Sequence, residues 1–433
     1  MAAAARQIGD WLDHIGRVHF RSIDLTLDRV RRVGHALRLP AAMHSVTVAG
    51  TNGKGSSVAY LESIYRAAGY RTGAYTSPHL VRYNERVRID GCPVEDGVLE
   101  AAFNAVETAR GGVPLTYFEF GTLAALWIFR ETSPDVAILE VGMGGRLDAV
   151  NMVDADIALV TEIGLDHQQW LGESVEKIAR EKAGVLRYRG AAVSSGVRPP
   201  AALAAAADAK RCDLWQLGIH FGYELHADYW DWLPLSARSE PVRKATGLPL
   251  PVGGTHQVNN AAGAIAVVRR LDPRLPVPDR ALEEGIGNCR LPGRLQRVGR
   301  DPEIWLDVCH NADGLSVLAS RLRTERPGGR QFAVFSMLAD KDLAGAVRHV
   351  DDLFDQWFLA PIANERAADV STLRAVVSNA TTVPVNLFGS VEEAADRAIA
   401  LAGDGDRVVV FGSFYAVGDI MRHLHFEPYT ASG

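Results

Sequence analysis

"VAGTNGKGSS", Val48 to Ser57, sets three glycines and one lysine in the six residues Gly50 to Gly55, between an apolar run and two serines. A strict Walker A stretch reads G-x-x-x-x-G-K-[ST]. Here Val48 occupies the first position and Gly55 stands where the hydroxyl should follow Lys54. The spacing therefore misses, but the physical context of a phosphate cradle is present. "HSVTVAG" reads as a strand and "SSVAYLESIYRAAG" as a helix with Val58, Leu61, Ile64 and Tyr65 on one face and Gly69 as its stop. A strand that delivers small residues to a helix N-terminus presents unpaired backbone N–H groups and the positive end of the helix dipole, with a lysine as counter-charge. The stretch is expected to bind nucleotide.

With 433 residues the chain exceeds one ordinary core, and two or three domains are expected. A hydrophobic content of 47% beside 23% charged residues is that of a soluble globular protein, and the net charge of −6 argues against a nucleic-acid surface. No apolar run is long enough to span a bilayer, and "MAAAARQIGDW" lacks the hydrophobic region of a signal peptide, so a cytoplasmic location without membrane partners is expected. Cys92, Cys212, Cys289 and Cys309 are far apart and form no C-x-x-C pair, which points to neither a zinc site nor a disulfide framework. Cys309 beside His310 is read as a packed cysteine, because strand neighbours point to opposite faces.

Strand-like runs alternate with amphipathic helical stretches, the pattern of an α/β protein with a largely parallel sheet. The first two-thirds give strands at "HSVTVAG", "RTGAYT", "DVAILEVG", "DIALVTEIG" and "GAAVSS", with helices from Phe118 to Arg130 and from Ser174 to Ala183. "YELHADYWDWLPL" breaks the rhythm and reads as β-hairpins. After "NCRLPGRLQ" the alternation restarts, with strands "EIWLDV", "RQFAVFS", "QWFLAP" and "RVVVFGS" separated by helices "DGLSVLASRLRTE", "DLAGAVRHVDDLF" and "SVEEAADRAIALAG". The expected division is an N-terminal phosphate-loop ATPase domain over residues 1–290 and a smaller Rossmann-like α/β domain over residues 291–433.

Ligands of an open α/β sheet gather beyond the carboxyl ends of its strands. Those ends carry Ser77 and His79, then Glu140, then Asp166 and His167. Glu140 and the Ser77 hydroxyl, with nucleotide phosphates, make a set of hard oxygen ligands for Mg²⁺; the imidazole of His167 would also suit Mn²⁺. Lys182, in "EKIAREKAGVL", reads from periodicity as a surface residue of solvated i,i+4 pairs. At this level ATP and a divalent ion are bound, and a kinase, a nucleotide-driven switch and a ligase stay open.

Taken in order, "AGTNGKGS", "TSPHLVRYNERVRIDG", "LTYFEFGTLAAL", "EVGMGGRLDAVN", "GLDHQQWLG" and "REKAGV" resemble the Mur ligases, and within them the folate branch in its bifunctional bacterial form, dihydrofolate synthase and folylpolyglutamate synthase in one chain. "HQVNNAAGAI", "LPGRLQ", "DVCHNADG" and "VFGSF" carry the resemblance through nearly the whole length. In this family the loop is written GTNGKG[ST], so the misfit to Walker A is the family's own pattern. The resemblance implies ATP contacts at Thr51, Asn52, Gly53, Lys54, Gly55 and Ser56, with Asn260, Arg294 and Asp307 from the smaller domain and its approach. It implies Mg²⁺ at Ser77, Glu140 and His167, leaves room for a monovalent cation, and makes Lys182 an N6-carboxylated lysine, against the surface reading. Ser22, Ile23, Asp24 and Leu25, then Thr116, Tyr117, Phe118 and Glu119, then Leu147, Asp148 and Ala149 match segments that hold 7,8-dihydropteroate in the bifunctional type. Tyr117 and Phe118 could stack on the pterin, though helix packing alone also accounts for them. His310 is placed near the incoming glutamate, in a stretch, "HNADG", where relatives often have "HNP".

The implied reaction is ATP-dependent amide formation. The carboxylate of dihydropteroate, or the γ-carboxylate of a reduced folate, takes the γ-phosphoryl group of ATP, and the amine of L-glutamate then displaces phosphate. Lys54, Lys182, Arg294 and His310 carry the catalytic expectations, with Arg294 acting when the domains close. The partners are small molecules and the chain is expected to act as a monomer. A monofunctional folylpolyglutamate synthase is the nearest rival, a cell-wall Mur ligase a weaker one, and a silent nucleotide-binding regulator the alternative of another class.

Overall fold

The computed structural model describes residues 7–21, 23–39, 44–236 and 242–429. It divides into two compact units, one formed by Met1–Ser77, Asn84–Pro251 and Gln257–Cys289, the other by Pro78–Tyr83, Val252–His256 and Arg290–Gly433.

The first unit holds the strands β1 (His44–Ala49), β2 (Thr72–Tyr75), β3 (Val87–Ile89), β4 (Cys92–Pro93), β5 (Val136–Glu140), β6 (Ile157–Val160), β7 (Ala191–Ser194) and β8 (Asp213–Gln216). They form one sheet in the order β4-β3-β2-β5-β1-β6-β7-β8. From β2 to β8 every pairing is parallel, while β3 and β4 add an antiparallel edge. Strands such as "VTVA" and "VAIL" are buried at consecutive positions because both faces are covered, the ordinary condition of a parallel sheet. The covering elements include α1 (Ile8–Val18), α2 (Asp28–Ala36), α3 (Lys54–Ala67), α4 (Asp96–Arg110), α5 (Tyr117–Thr132), α6 (Gln168–Leu171), α7 (Val175–Lys182), α8 (Ala201–Ala209), α9 (Thr255–Leu271) and α10 (Asp279–Gly287). A separate antiparallel sheet, β9 (Phe221–Leu225), β10 (Tyr229–Pro234) and β11 (Ala245–Pro249), contains the expected hairpin, with Trp230 and Trp232 fully buried. The expectation for α3 was a single apolar face. Ser56, Ser57, Tyr60 and Glu62 are buried as well, since α3 packs on β2 and β5 and also against α10.

The second unit is a sheet in the order β12-β13-β17-β14-β15-β16, made of β12 (Gln296–Arg300), β13 (Glu303–Asp307), β14 (Gln331–Phe335), β15 (Gln356–Leu359), β16 (Val385–Leu387) and β17 (Arg407–Phe411). All its pairings are parallel except β12 with β13. Alternate residues face opposite sides, as strand geometry demands. Trp305, Phe335, Trp357 and Phe411 pack beneath α11 (Ala312–Thr324), α12 (Leu343–Val347) and α13 (Val370–Ala380). Leu306, Phe332, Phe358 and Val410 pack beneath α14 (Val391–Leu401) and α15 (Phe414–His423).

One sequence expectation is corrected here. "DLAGAVRHVDDLF" is not one long helix: α12 ends at Val347, after which Val350 and Leu353 donate to carbonyls three residues back, keeping Val350, Leu353 and Phe354 in the core. The helix α13 and the short strand β16 were not anticipated. Among the described residues no helix is long and apolar enough to cross a membrane.

Candidate active site

β1 lies between β5 and β6, so the loop leaving it opens at the carboxyl end of the sheet's centre. Gly50 to Gly53 turn the chain into α3, and two of these glycines are demanded by the backbone and its neighbours. Gly50 has φ of +152° and a Cβ there would fall 1.8 Å from Thr161 Oγ1; Gly53 has φ of +88° and a Cβ would fall 2.4 Å from Asn260 Oδ1. The loop is fastened to the end of β6. Thr51 N–H donates to Glu162 O at 2.7 Å, the Thr51 hydroxyl donates to Gly164 O at 3.1 Å, and Thr161 Oγ1 donates to Asn52 O at 2.7 Å. Lys54 Nζ donates to Thr51 O at 3.2 Å, so its charge lies over the loop it terminates. Gln257 of α9 donates to the Ser56 hydroxyl at 3.3 Å and receives a bond from Asn260 at 3.1 Å, which places Asn260 beside the loop.

As an expected outcome, Gly53→Ala weakens ADP binding about tenfold, since left-handed strain of roughly 1–3 kcal/mol adds to the collision with Asn260. Calorimetric titration of the folded variant measures it, and wild-type affinity would show that this turn does not shape the site.

Ser77 follows β2 and Glu140 ends β5. The Ser77 N–H donates to Glu140 Oε2 at 3.1 Å, and a Cβ on Gly55 would lie 3.8 Å from that same oxygen. Ser77, the Glu140 carboxylate and the loop therefore converge. A hard cation fits this donor set. Among the described residues the one triple of His, Cys, Asp or Glu with donor atoms within 4.8 Å of one another is Glu224, His226 and Asp231 on the hairpin. His167 lies beyond β6 with φ of +50°, its N–H donating to Asp166 Oδ1 at 2.8 Å and its Nε2 3.9 Å from Asp166 Oδ2. His79 falls in the segment grouped with the second unit.

Periodicity misplaced Lys182. The side chain is buried, and Nζ donates to Gly50 O at 2.7 Å, joining α7 to the loop. Burial, reinforced by the charge of Lys54, brings its ammonium down to about 7, with Asp166 and Asp148 opposing. Asp148, also buried, is pushed up to about 7 by desolvation, although Oδ2 accepts from Met143 N–H at 2.9 Å and Oδ1 from Val150 N–H at 3.0 Å. These bonds close the loop carrying Leu147 and Ala149.

Of the segments matched to dihydropteroate, Ser22 lies outside the described residues. Ile23, Asp24 and Leu25 are half-buried in irregular chain before α2. Thr116 caps α5, accepting from Glu119 N–H at 3.3 Å while the Glu119 carboxylate accepts from Thr116 N–H at 2.7 Å. Tyr117 lies under the Arg86 guanidinium, 5.5 Å from its ring centre, and Phe118 is tilted against Tyr75 with centroids 5.9 Å apart. Arg29, which sequence reading missed, joins Asp24 to Glu119.

In the second unit Asp307 ends β13, and its carboxylate accepts from Leu295 N–H and Cys309 N–H, both at 2.8 Å. Arg294 lies over the Phe414 ring at 5.0 Å, and the His310 ring is 5.8 Å from Phe414 while its Nδ1 is 3.0 Å from Val308 O. His256, lowered by burial, feels both Asp307 and Arg294. In "HNADG" Asn311 caps α11, accepting from Gly314 N–H at 2.9 Å. Cys309 is buried and its thiol is pushed far up by desolvation, which leaves it a packing residue.

The Mur ligase middle domain model matches residues 48–268, and the Mur ligase glutamate ligase domain model matches residues 293–414. A dihydrofolate synthase/folylpolyglutamate synthase of Escherichia coli (strain K12) is 42% identical over 420 residues, 97% of this chain and 96% of that one. The chain belongs to the dihydrofolate synthase/folylpolyglutamate synthase family of Mur ligases. Solved members of this Mur ligase family show the same fold. The Escherichia coli FolC structure in complex with DHPP and ADP superposes with a TM-score of 0.91 at 40% identity, covering 98% of this chain and 99% of that one. A bifunctional folylpolyglutamate synthase/dihydrofolate synthase with Mn, AMPPNP and L-glutamate bound gives a TM-score of 0.89 at 39% identity, over 98% of this chain and 99% of that one.

Proposed function

We propose that the chain is an ATP-dependent ligase that adds L-glutamate to 7,8-dihydropteroate, giving dihydrofolate, and to the γ-carboxyl of reduced folates, giving polyglutamates. The observation that carries this reading is the convergence of the Gly50–Ser56 loop, Ser77 and Glu140 at the carboxyl ends of β1, β2 and β5 in a chain of this family.

The acceptor carboxylate attacks the γ-phosphorus of ATP, the bond to the β–γ bridging oxygen breaks, and an acyl phosphate and ADP result. The amine of L-glutamate then attacks the acyl carbon, phosphate leaves, and the amine proton is lost. The first step brings two anions together, so positive charge at the loop is the main requirement. Lys54 supplies it from the loop, and the N–H groups at the start of α3 add fixed partial charge. Ser77, Glu140 and His167 would hold Mg²⁺, with Mn²⁺ as substitute, which when bound offsets charge on the phosphates. Thr51 and Asn260 keep the loop in register. Roles for Arg294 and Asp307 on ATP and for His310 near glutamate rest on the family resemblance.

Lys182 fits N6-carboxylation. Carbon dioxide reacts with a neutral amine, and burial beside Lys54 provides one near neutral pH. A cytoplasmic monomer acting on small molecules, with a monovalent cation at the site, belongs to the same reading on the resemblance alone.

Phosphate release from ATP with Mg²⁺ and L-glutamate, comparing 7,8-dihydropteroate with tetrahydrofolate, tests the proposal. Turnover with both acceptors is expected. Turnover with tetrahydrofolate alone leaves a folylpolyglutamate synthase, and turnover with neither leaves a nucleotide-binding protein.

A further inference from the structure

Arg29 stands in the first turn of α2 and its guanidinium serves two distant segments at once. Nε is 3.2 Å from both carboxylate oxygens of Glu119, and one terminal nitrogen donates to Glu119 Oε1 at 2.9 Å. That same nitrogen donates to the Asp24 carbonyl oxygen at 2.9 Å, and the other donates to Asp24 Oδ2 at 3.0 Å. The Glu119 side chain is only 5% exposed and already completes the cap of α5 through Thr116. Asp24, by contrast, lies in chain that belongs to no helix or strand, Ile23 to Thr26, where no ladder of backbone bonds sets its course. His19 adds a weaker hold, with Nε2 at 3.5 Å from Asp24 Oδ2. A planar fork with donors on three nitrogens can satisfy two carboxylates and a carbonyl together; a point charge cannot.

We propose that Arg29 is a positioning residue for acceptor choice: it fixes Ile23–Leu25 against the N-terminus of α5, so that the two segments matched to dihydropteroate form one pocket wall. The inference rests on the dihydropteroate reading given above. Arg29 touches no reacting atom in this scheme. Its effect falls on the KM for dihydropteroate, whereas the phosphate loop and the Ser77–Glu140 pair, which serve both acceptors, do not depend on it.

The test compares wild type with Arg29→Lys and Arg29→Gln, measuring kcat and KM for 7,8-dihydropteroate and for tetrahydrofolate at saturating ATP and glutamate, beside the thermal midpoint. Arg29→Lys keeps a charge near Glu119 and guards against loss of folding. The expected result is a KM for dihydropteroate raised about tenfold in Arg29→Lys and further in Arg29→Gln, with KM for tetrahydrofolate within about twofold. Equal losses with both acceptors would mean that Arg29 merely welds α2 to α5, and unchanged KM values would mean that it positions nothing; either overturns the inference. Wild-type turnover with tetrahydrofolate alone would instead remove the dihydropteroate reading, and the inference with it.

Discussion

Lys54→Met is expected to lower kcat for phosphate release by about 10³, with both acceptors alike and with the fold retained. The reason is positional. Lys54 opens α3 at the centre of the parallel sheet, and its Nζ lies 3.2 Å from Thr51 O, above the turn that leads into the helix. A single well-placed donor or cation at such a site is worth roughly 4 kcal/mol in the transition state, which is the stated factor. Methionine keeps the length and apolar stem while removing the charge, so α3 and its packing on β2 and β5 stay intact. Steady-state phosphate release and the thermal midpoint are the measurements. A variant within tenfold of wild type, with unchanged stability, would mean that the loop is not where the phosphoryl group is transferred. Because both acceptors pass through the same phosphoryl step, a loss confined to one of them would contradict the mechanism rather than the fold.

How far the chain discloses this site in advance depends on the range of the interaction. The strands β1, β5 and β6 were legible because a strand covered on both faces reads as a largely apolar run, and the start of α3 because glycines at Gly50 and Gly53 only make sense at a sharp turn. Ser77 and Glu140 were legible as strand-end residues, since their positions follow from local periodicity. Lys182 was misread, although Ile178, Ala179 and Lys182 fall on one helical face and all three are buried. Spacing had marked that face as inward; the assumption that lysine seeks water hid it. The bridge that Arg29 makes from Asp24 to Glu119 was not legible, because Glu119 is 90 residues away and that pairing arises only when α2 meets α5. The truncated α12 fails for a related reason: apolar spacing from Leu343 to Phe354 suits a helix, but the same residues can be buried by tighter turns.

Lys182→Met is expected to cost most of the turnover, a fall of about 10² or more, and at the same time to raise the thermal midpoint at pH 6. The two effects have one origin. The folded protein holds the Lys182 proton more weakly than the unfolded chain, with the ammonium down to about 7 from 10.5, chiefly through burial and then through Lys54. Below about pH 7 that difference acts in full against folding, and it corresponds to roughly 5 kcal/mol before the bond to Gly50 O is counted. From pH 7 to 10.5 the unfolded chain binds more protons than the folded one, so stability rises with pH through that window and the advantage of methionine shrinks. Thermal melts at pH 6 and pH 9 read this directly: the gain in midpoint at pH 6 should be the larger, and equal gains at both would show that packing rather than charge is responsible. Activity separates the second role. If the neutral amine takes up carbon dioxide, wild-type turnover should fall in carefully degassed buffer and return with bicarbonate, whereas Lys182→Met should respond to neither. A wild-type enzyme indifferent to bicarbonate, with Lys182→Met still slow, would leave Lys182 as a brace on Gly50 and not a carboxylated residue; a variant as fast as wild type would remove it from the site altogether.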